Sequence, residues 1–156
     1  MEEYNQTKNP FFDMKDANDL YKKLEYDFKL LKPKDTNVYY YMNFIFTANH
    51  LIEWIEKDKN FDVSKKTNIK NLFNLKSNLE FSTIKSLCNK SKHFVLYDTK
   101  YESVKSKKVG FDYEDMDYNN FSYNPTIYYV KVGSKIEKLY DVCEKVFNDY
   151  SKIFGN

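Results

Sequence analysis

Leu20, Leu24, Phe28 and Leu31 recur at spacings of four, four and three, the interval that gathers side chains on one side of an α-helix. Asp13 or Asp16 stands where this helix would be capped, and Pro33 stops it. Asp35, Thr36 or Asn37 can cap a second helix running to about Lys57. The run Tyr39-Tyr40-Tyr41 and the string Phe44, Ile45, Phe46, Leu51, Ile52, Trp54 and Ile55 make it apolar on most faces, as expected of a central bundle helix. Residues 58–78 are rich in Lys and Asn without a clear period, although Ile69, Leu72, Phe73 and Leu75 suit a short helix. Phe81, Ile84, Leu87 and Cys88 mark the buried side of a further helix from about Leu79 to His93.

From Phe94 to about Tyr123 the helical period is lost, and acidic residues gather at Asp112, Glu114, Asp115 and Asp117. Asn124-Pro125 marks a turn, and 126–132 reads as a strand, so a small hairpin pairing part of 94–111 with 126–132 is predicted. After Gly133, Ser134 and Glu137 stand at the spacing of a capping box, which predicts that the last helix starts there. Ile136, Leu139, Cys143, Val146, Tyr150 and Ile153 continue it as one stripe. The predicted fold is mainly α: a four- to five-helix bundle with a small antiparallel β-hairpin before the C-terminal helix. It forms a single domain over 1–156, with 1–12 a loose lead-in and 94–132 a hairpin and acidic loop insertion.

Composition narrows the chemistry. The 156 residues suit one domain, and 42% hydrophobic residues with 13 Phe and 15 Tyr supply enough apolar surface for a core. With 25 basic against 23 acidic residues the net charge is only +2, so no overall field draws the chain to polyanions. Every basic residue is Lys and none is Arg, which removes bidentate guanidinium contacts and leaves anion recognition to ammonium groups, hydroxyls and backbone N–H. The excess of Lys, Asn, Tyr, Phe and Ile over Ala follows AT-biased codons and suggests a low-GC bacterium or its phage. No apolar run is long enough to span a membrane, and Met1-Glu2-Glu3-Tyr4 does not open a signal peptide, so a cytoplasmic protein without membrane contact is expected. Cys88 and Cys143 are expected to be reduced and buried.

Few residues can carry chemistry. The two histidines are His50 and His93. On a helix Lys85, Asn89, Lys92 and His93 share a face opposite Phe81, Ile84 and Cys88. Together with Lys90 they could bind RNA or another anion, His93 moving a proton while Lys stabilises phosphorane charge. The same arrangement also serves as an ordinary basic helix end that complements the dipole. His50 lies one turn from Phe46 and Trp54 and two from Asn43, and is read either as a core imidazole with one hydrogen bond or as a second catalytic-cleft histidine. No CxxC, HxxxH or HExxH spacing occurs, the acidic cluster lacks the EF-hand pattern, and the 3 Gly form no phosphate loop. No metal site and no cofactor are expected. Tyr and Phe interleaved with Lys, as at Tyr97 to Tyr101 and Tyr128 to Lys131, could stack bases on a strand surface, or serve core packing or a protein interface.

The segment Cys88-Asn89-Lys90-Ser91-Lys92-His93 resembles the motif of HEPN-type helical domains, an Arg, often an Asn, then a His a few residues on. The resemblance implies a helical bundle that often dimerises and, in many members, a metal-independent ribonuclease of toxin and phage-defence systems. Asn89 and His93 are the matching positions, while Cys88 stands where the motif has Arg. The longer arrangement of Thr47-Ala48-Asn49-His50-Leu51-Ile52-Glu53-Trp54, an Asn-x-Ser-Lys-His segment, a hairpin and a terminal helix is similar to a group of uncharacterised bacterial and phage proteins, over most of the chain from about 36 onward. The resulting expectation is a non-enzymatic binding or regulatory module of a bacterial or phage, mobile-element or defence-related system, acting through protein–protein contacts, with a homodimer possible. The alternatives are a HEPN-like metal-independent ribonuclease or inactive RNA-binding relative using His93, Asn89 and His50, and a binder of a small anionic ligand.

Overall fold

Asp16 accepts a hydrogen bond from the Asp19 N–H at 2.9 Å and so opens the first helix, α1 (Ala17–Lys29). A computed structural model describes residues 12–92, 105–108 and 126–155, with Lys92 and 105–108 described by backbone alone. Asn37 caps α2 (Val38–Lys57) and Asp62 caps α3 (Val63–Leu72). The fourth helix, α4, spans Leu79–Lys92, and α5 spans Leu139–Phe154 and ends on Gly155 in the left-handed region. Strands β1 (Lys105–Lys108), β2 (Thr126–Val132) and β3 (Lys135–Lys138) form one antiparallel sheet in the order β1-β2-β3. The molecule is therefore mainly helical, with an antiparallel hairpin before the C-terminal helix.

The expected pairing of 94–111 with 126–132 is found between β1 and β2, Lys105 opposite Tyr129 and Lys108 opposite Thr126. One expectation is overturned. Ser134 and Glu137 do not form a capping box, because 135–138 pairs with β2 as a strand and α5 begins only at Leu139, with no side-chain cap. Gly133 decides the matter: its φ of +59° lets the chain reverse within two residues, and a Cβ there would meet Leu79 Cδ1 at 3.0 Å. Ile136, assigned by its spacing to the stripe of the last helix, instead lies on β3 and is 71% exposed.

The core gathers Leu20, Leu24, Phe44, Leu51, Ile84 and Val146 with their neighbours, and α2 packs against all four other helices. Rings join α1 to α5: Phe28 stacks on Phe147 with centroids 4.3 Å apart, and Tyr21 on Phe154 at 4.2 Å. The Tyr150 hydroxyl donates to the Ala48 carbonyl at 2.6 Å, fixing α5 on α2. Asn78 joins three elements at once. Its Oδ1 accepts the Phe81 N–H, capping α4, while its Nδ2 donates to the Leu72 carbonyl at the end of α3 and to Asp149 of α5. Asp149, fully buried, also accepts from Lys145 at 2.7 Å and Lys152 at 3.3 Å.

Asn78→Ala is expected to cost about 2–3 kcal/mol in denaturant unfolding, the sum of a lost cap and an unsatisfied buried acceptor, and Asn78→Asp will not rescue it because it sets a second carboxylate against Asp149.

Burial raises the pKa of Tyr41, Tyr150 and Cys143 above their ordinary values. The folded protein thus holds protons that the unfolded chain releases first, so stability is complete below about pH 9 and falls as pH climbs past the ordinary thiol and phenol values of 9.0 and 10.0. Urea midpoints measured up this range should drop, and Tyr41→Phe, which keeps the ring and removes the titrating hydroxyl, should flatten the decline.

Candidate functional site

The buried side of α2 carries Tyr41, Phe44, Ile45, Ala48, Leu51 and Ile55, and these residues consume its contacts with the bundle. The opposite side is left outward. There Tyr39 is 67% and Met42 37% exposed, Asn43 is exposed, and Phe46, His50 and Trp54 are half-buried. Of the three consecutive tyrosines only Tyr41 enters the core, because a helix turns about 100° per residue and cannot bury three neighbours on one side.

Between this side and α1 runs a groove of about 330 Å³. Met14, Leu20, Phe46 and Trp54 are its apolar walls, and Lys23, Asn43, Thr47 and His50 its polar groups. The floor is anchored by a triangle. Lys23 Nζ donates to Asp27 Oδ2 at 2.6 Å and to Thr47 Oγ1 at 2.7 Å, while the Thr47 hydroxyl lies 2.6 Å from Asp27 Oδ2 and 2.9 Å from the Asn43 carbonyl. Asp27 is 4% exposed, so the Lys23 ammonium supplies the compensation that a buried carboxylate requires. The His50 ring and the Asn43 amide make no hydrogen bond to the protein among the described residues. Both are polar groups able to donate and accept, held beside apolar walls.

On α4, Phe81, Ile84 and Cys88 are buried while Lys85 and Asn89 are exposed and Lys90 is half-buried, the division predicted from their spacing. His93 lies outside the described residues, and so does the side chain of Lys92. Among the described residues lining the His50 groove, none comes from α4. His50 thus sits with Lys23, Asn43 and Trp54, and the described structure does not bring it to Lys85 and Asn89.

No protein-family model matches the chain, and no curated protein or solved structure matches it. Function must be argued from the molecule itself.

A second concave region, of about 170 Å³, includes Asp16, Asp58 and Asp62. Each of these carboxylates already serves the backbone: Asp16 caps α1, Asp58 accepts from Ala17 N at 3.1 Å and Asn60 N at 2.9 Å, and Asp62 accepts from Ser64 N at 2.8 Å. Hydrogen bonds from the Ser64 hydroxyl and backbone lower the Asp62 pKa, and the Lys15 backbone and Lys22 ammonium do the same for Asp19. Among the described residues no group of three His, Cys, Asp or Glu is placed to hold a metal ion, and no helix is long and apolar enough to cross a membrane. Cys88 and Cys143 are both buried and are not joined in a disulfide.

Sequence reasoning placed His50, Phe46, Trp54 and Asn43 on one helix but missed the α1 half of the groove. The signal was present: Lys23 and Asp27, four apart, interrupt the stripe Leu20, Leu24, Phe28 with charge, and a buried acid on a core-facing helix needs a polar partner across the packing.

Two substitutions separate framework from site. Thr47→Val is expected to cost about 1–2 kcal/mol by leaving Asp27 one donor short, whereas His50→Ala should change unfolding free energy by less than about 0.5 kcal/mol, since it removes no hydrogen bond among the described residues.

Proposed function

We propose that this chain is a non-enzymatic binding or regulatory module that acts through protein–protein contacts made by the outer side of α2, and that its first partner is a second copy of itself. The composition of that side supports contact with protein. Tyr, Met, Phe and Trp side chains cluster there with few charges, the make-up that distinguishes interface cores from ordinary surface.

One observation carries the choice of a second copy. Tyr39 and Trp54 lie equally far on either side of the midpoint between Phe46 and Thr47, and Asn43 and His50 are likewise equidistant from it. A two-fold axis through that midpoint, with two α2 helices antiparallel, sets each Tyr39 against the other copy's Trp54 and each Asn43 against the other copy's His50, with the Phe46 rings meeting near the axis. Such reciprocal pairing is what an isologous interface demands. It also gives the hydrogen-bonding groups of Asn43 and His50 the partners that the described residues of their own chain do not supply. The span from Tyr39 to Trp54 is about 22 Å of helix, which with the flanking part of α1 reaches only the low end of interface sizes, so a reversible association in the micromolar range is expected.

Light scattering over a series from low micromolar to near-millimolar concentration tests this. A concentration-dependent dimer is expected, abolished by Phe46→Glu with the fold retained by circular dichroism. Asn43→Asp and His50→Lys, about 10 Å apart within one helix and adjacent only across the axis, should each weaken the dimer and together restore it, a coupling of about 1 kcal/mol or more in a double-mutant cycle. A wild-type chain that stays monomeric throughout, or a cycle with no coupling, overturns the pairing.

The exposed placement of Lys85 and Asn89 supports a second reading, a metal-independent ribonuclease or inactive RNA-binding relative with His93 as acid/base. RNA cleavage in the presence of chelator that is lost in His93→Ala would establish that reading in place of a purely non-enzymatic module.

A further inference from the structure

We infer that the outer face of the three-stranded sheet is a second binding surface, one that takes single-stranded nucleic acid by its phosphates and by a base stacked on Tyr129. Charge is the first ground. The fifteen strand residues include six Lys and one Glu, a net charge of +5 within a chain whose total is +2, so the rest of the molecule carries a net −3. A protein almost neutral overall has concentrated its positive charge on one small element.

The face follows from register and burial. Tyr128 meets Tyr41 edge-on, and Val130 and Val132 lie in the core, so these three point inward. Strand alternation therefore turns Tyr129 and Lys131 outward. Directly across the ladder, Tyr129 stands opposite Lys138 of β3 and Lys105 of β1, and Lys131 stands opposite Ile136. Ile127, toward the Lys108 end, is buried, which centres the accessible part of the face on Tyr129, Lys131, Ile136 and Lys138. Lys131 and Lys138 are exposed on this face, whereas Lys135, opposite Val132, belongs to the other one.

Tyr129 chooses among polyanions. A half-exposed ring opposite Lys138 and two residues from Lys131 on the same face offers a base a stacking surface with ammonium groups near the flanking phosphates, the combination used for sequence-tolerant binding of single strands. An acidic peptide would use the lysines and leave the ring idle. A duplex would hide its bases from the ring. Because all the cations are Lys, the contacts are point charges without bidentate geometry, and little preference among sequences should result.

The test is fluorescence anisotropy with labelled twelve-residue oligo-U and oligo-dT at low salt, with polyglutamate of matched charge and a duplex of equal length as competitors. Expected is saturable binding to the single strands, with log Kobs falling against log salt at a slope of about −2 to −3, as three or four phosphate contacts give. Lys131→Glu with Lys138→Glu should weaken it at least tenfold, and Tyr129→Leu severalfold, while Lys70→Glu on α3 leaves it unchanged. No binding at low salt, equal competition by polyglutamate or duplex, or loss on Lys70→Glu instead of on the sheet variants would each overturn the assignment. The double charge reversal lies at exposed positions, and circular dichroism of that variant checks that a loss of binding is not a loss of fold.

Discussion

The carboxylate of Asp149, fully buried inside a bundle of rings and aliphatic side chains, is the constraint on which the arrangement of helices rests. A charge in that place is tolerable only with donors around it. Two come from its own helix, Lys145 four residues before and Lys152 three after, whose stems reach out so that their ammonium groups stay near solvent. The third donor is Asn78, and it is already committed to ending α3 and starting α4. The position of α5 is thereby tied to the one point where the chain changes direction between two other helices. Apolar packing is tolerant of small slides, whereas a three-way hydrogen-bonded junction is not, since each bond requires its own distance and angle.

The other side of the bundle uses the same device. Asp27 of α1 is clipped by Lys23, four residues earlier, and meets Thr47 of α2 across the packing. The stacked rings of Tyr21 on Phe154 and Phe28 on Phe147 join α1 to α5 as well. With α1 held at Thr47 and α5 held at Ala48, the rotation of α2 about its own axis has no freedom left. That rotation decides which of its residues face outward. Tyr39, Phe46, His50 and Trp54 therefore form an outer surface because the core chemistry has fixed the inner one.

Much of this was legible in the chain. Four of the five helices follow directly from apolar spacing and cap residues, Asp16 and Asn37 among them, because helix periodicity and N-cap chemistry are local properties. The error at residues 134–138 has a local cause as well. Ser134 and Glu137 satisfy the capping pattern, yet Gly133 turns the chain back against β2, and a strand partner outweighs a cap that local sequence alone favours. Half of the groove escaped notice because Lys23 and Asp27 mean nothing until α1 and α2 are docked. The polar division of α4 was readable to Asn89, since burying Phe81, Ile84 and Cys88 forces Lys85 and Asn89 outward. The reading of His50 as a cleft histidine beside His93 turns on tertiary proximity, which spacing within either helix does not encode; His93 lies outside the described residues, and His50 is grouped with residues of α1 and α2.

The absence of Arg links the composition to the two surfaces in a physical way. Where guanidinium would lock a planar anion in one orientation, ammonium offers an isotropic charge, and specificity has to come from elsewhere. On the proposed α2 interface it would come from shape and from paired hydrogen-bonding groups, with charge held back in the Lys23–Asp27 pair. On the proposed sheet surface it would come from the contrast between three strands that sum to +5 and a remainder that is net negative. That contrast orients an approaching polyanion even though the total charge is small, since screening over about 8–10 Å at ordinary salt lets a ligand feel the nearest patch and little of the whole. A near-zero net charge therefore excludes a nonspecific polyanion coat, and it does not exclude a local polyanion face.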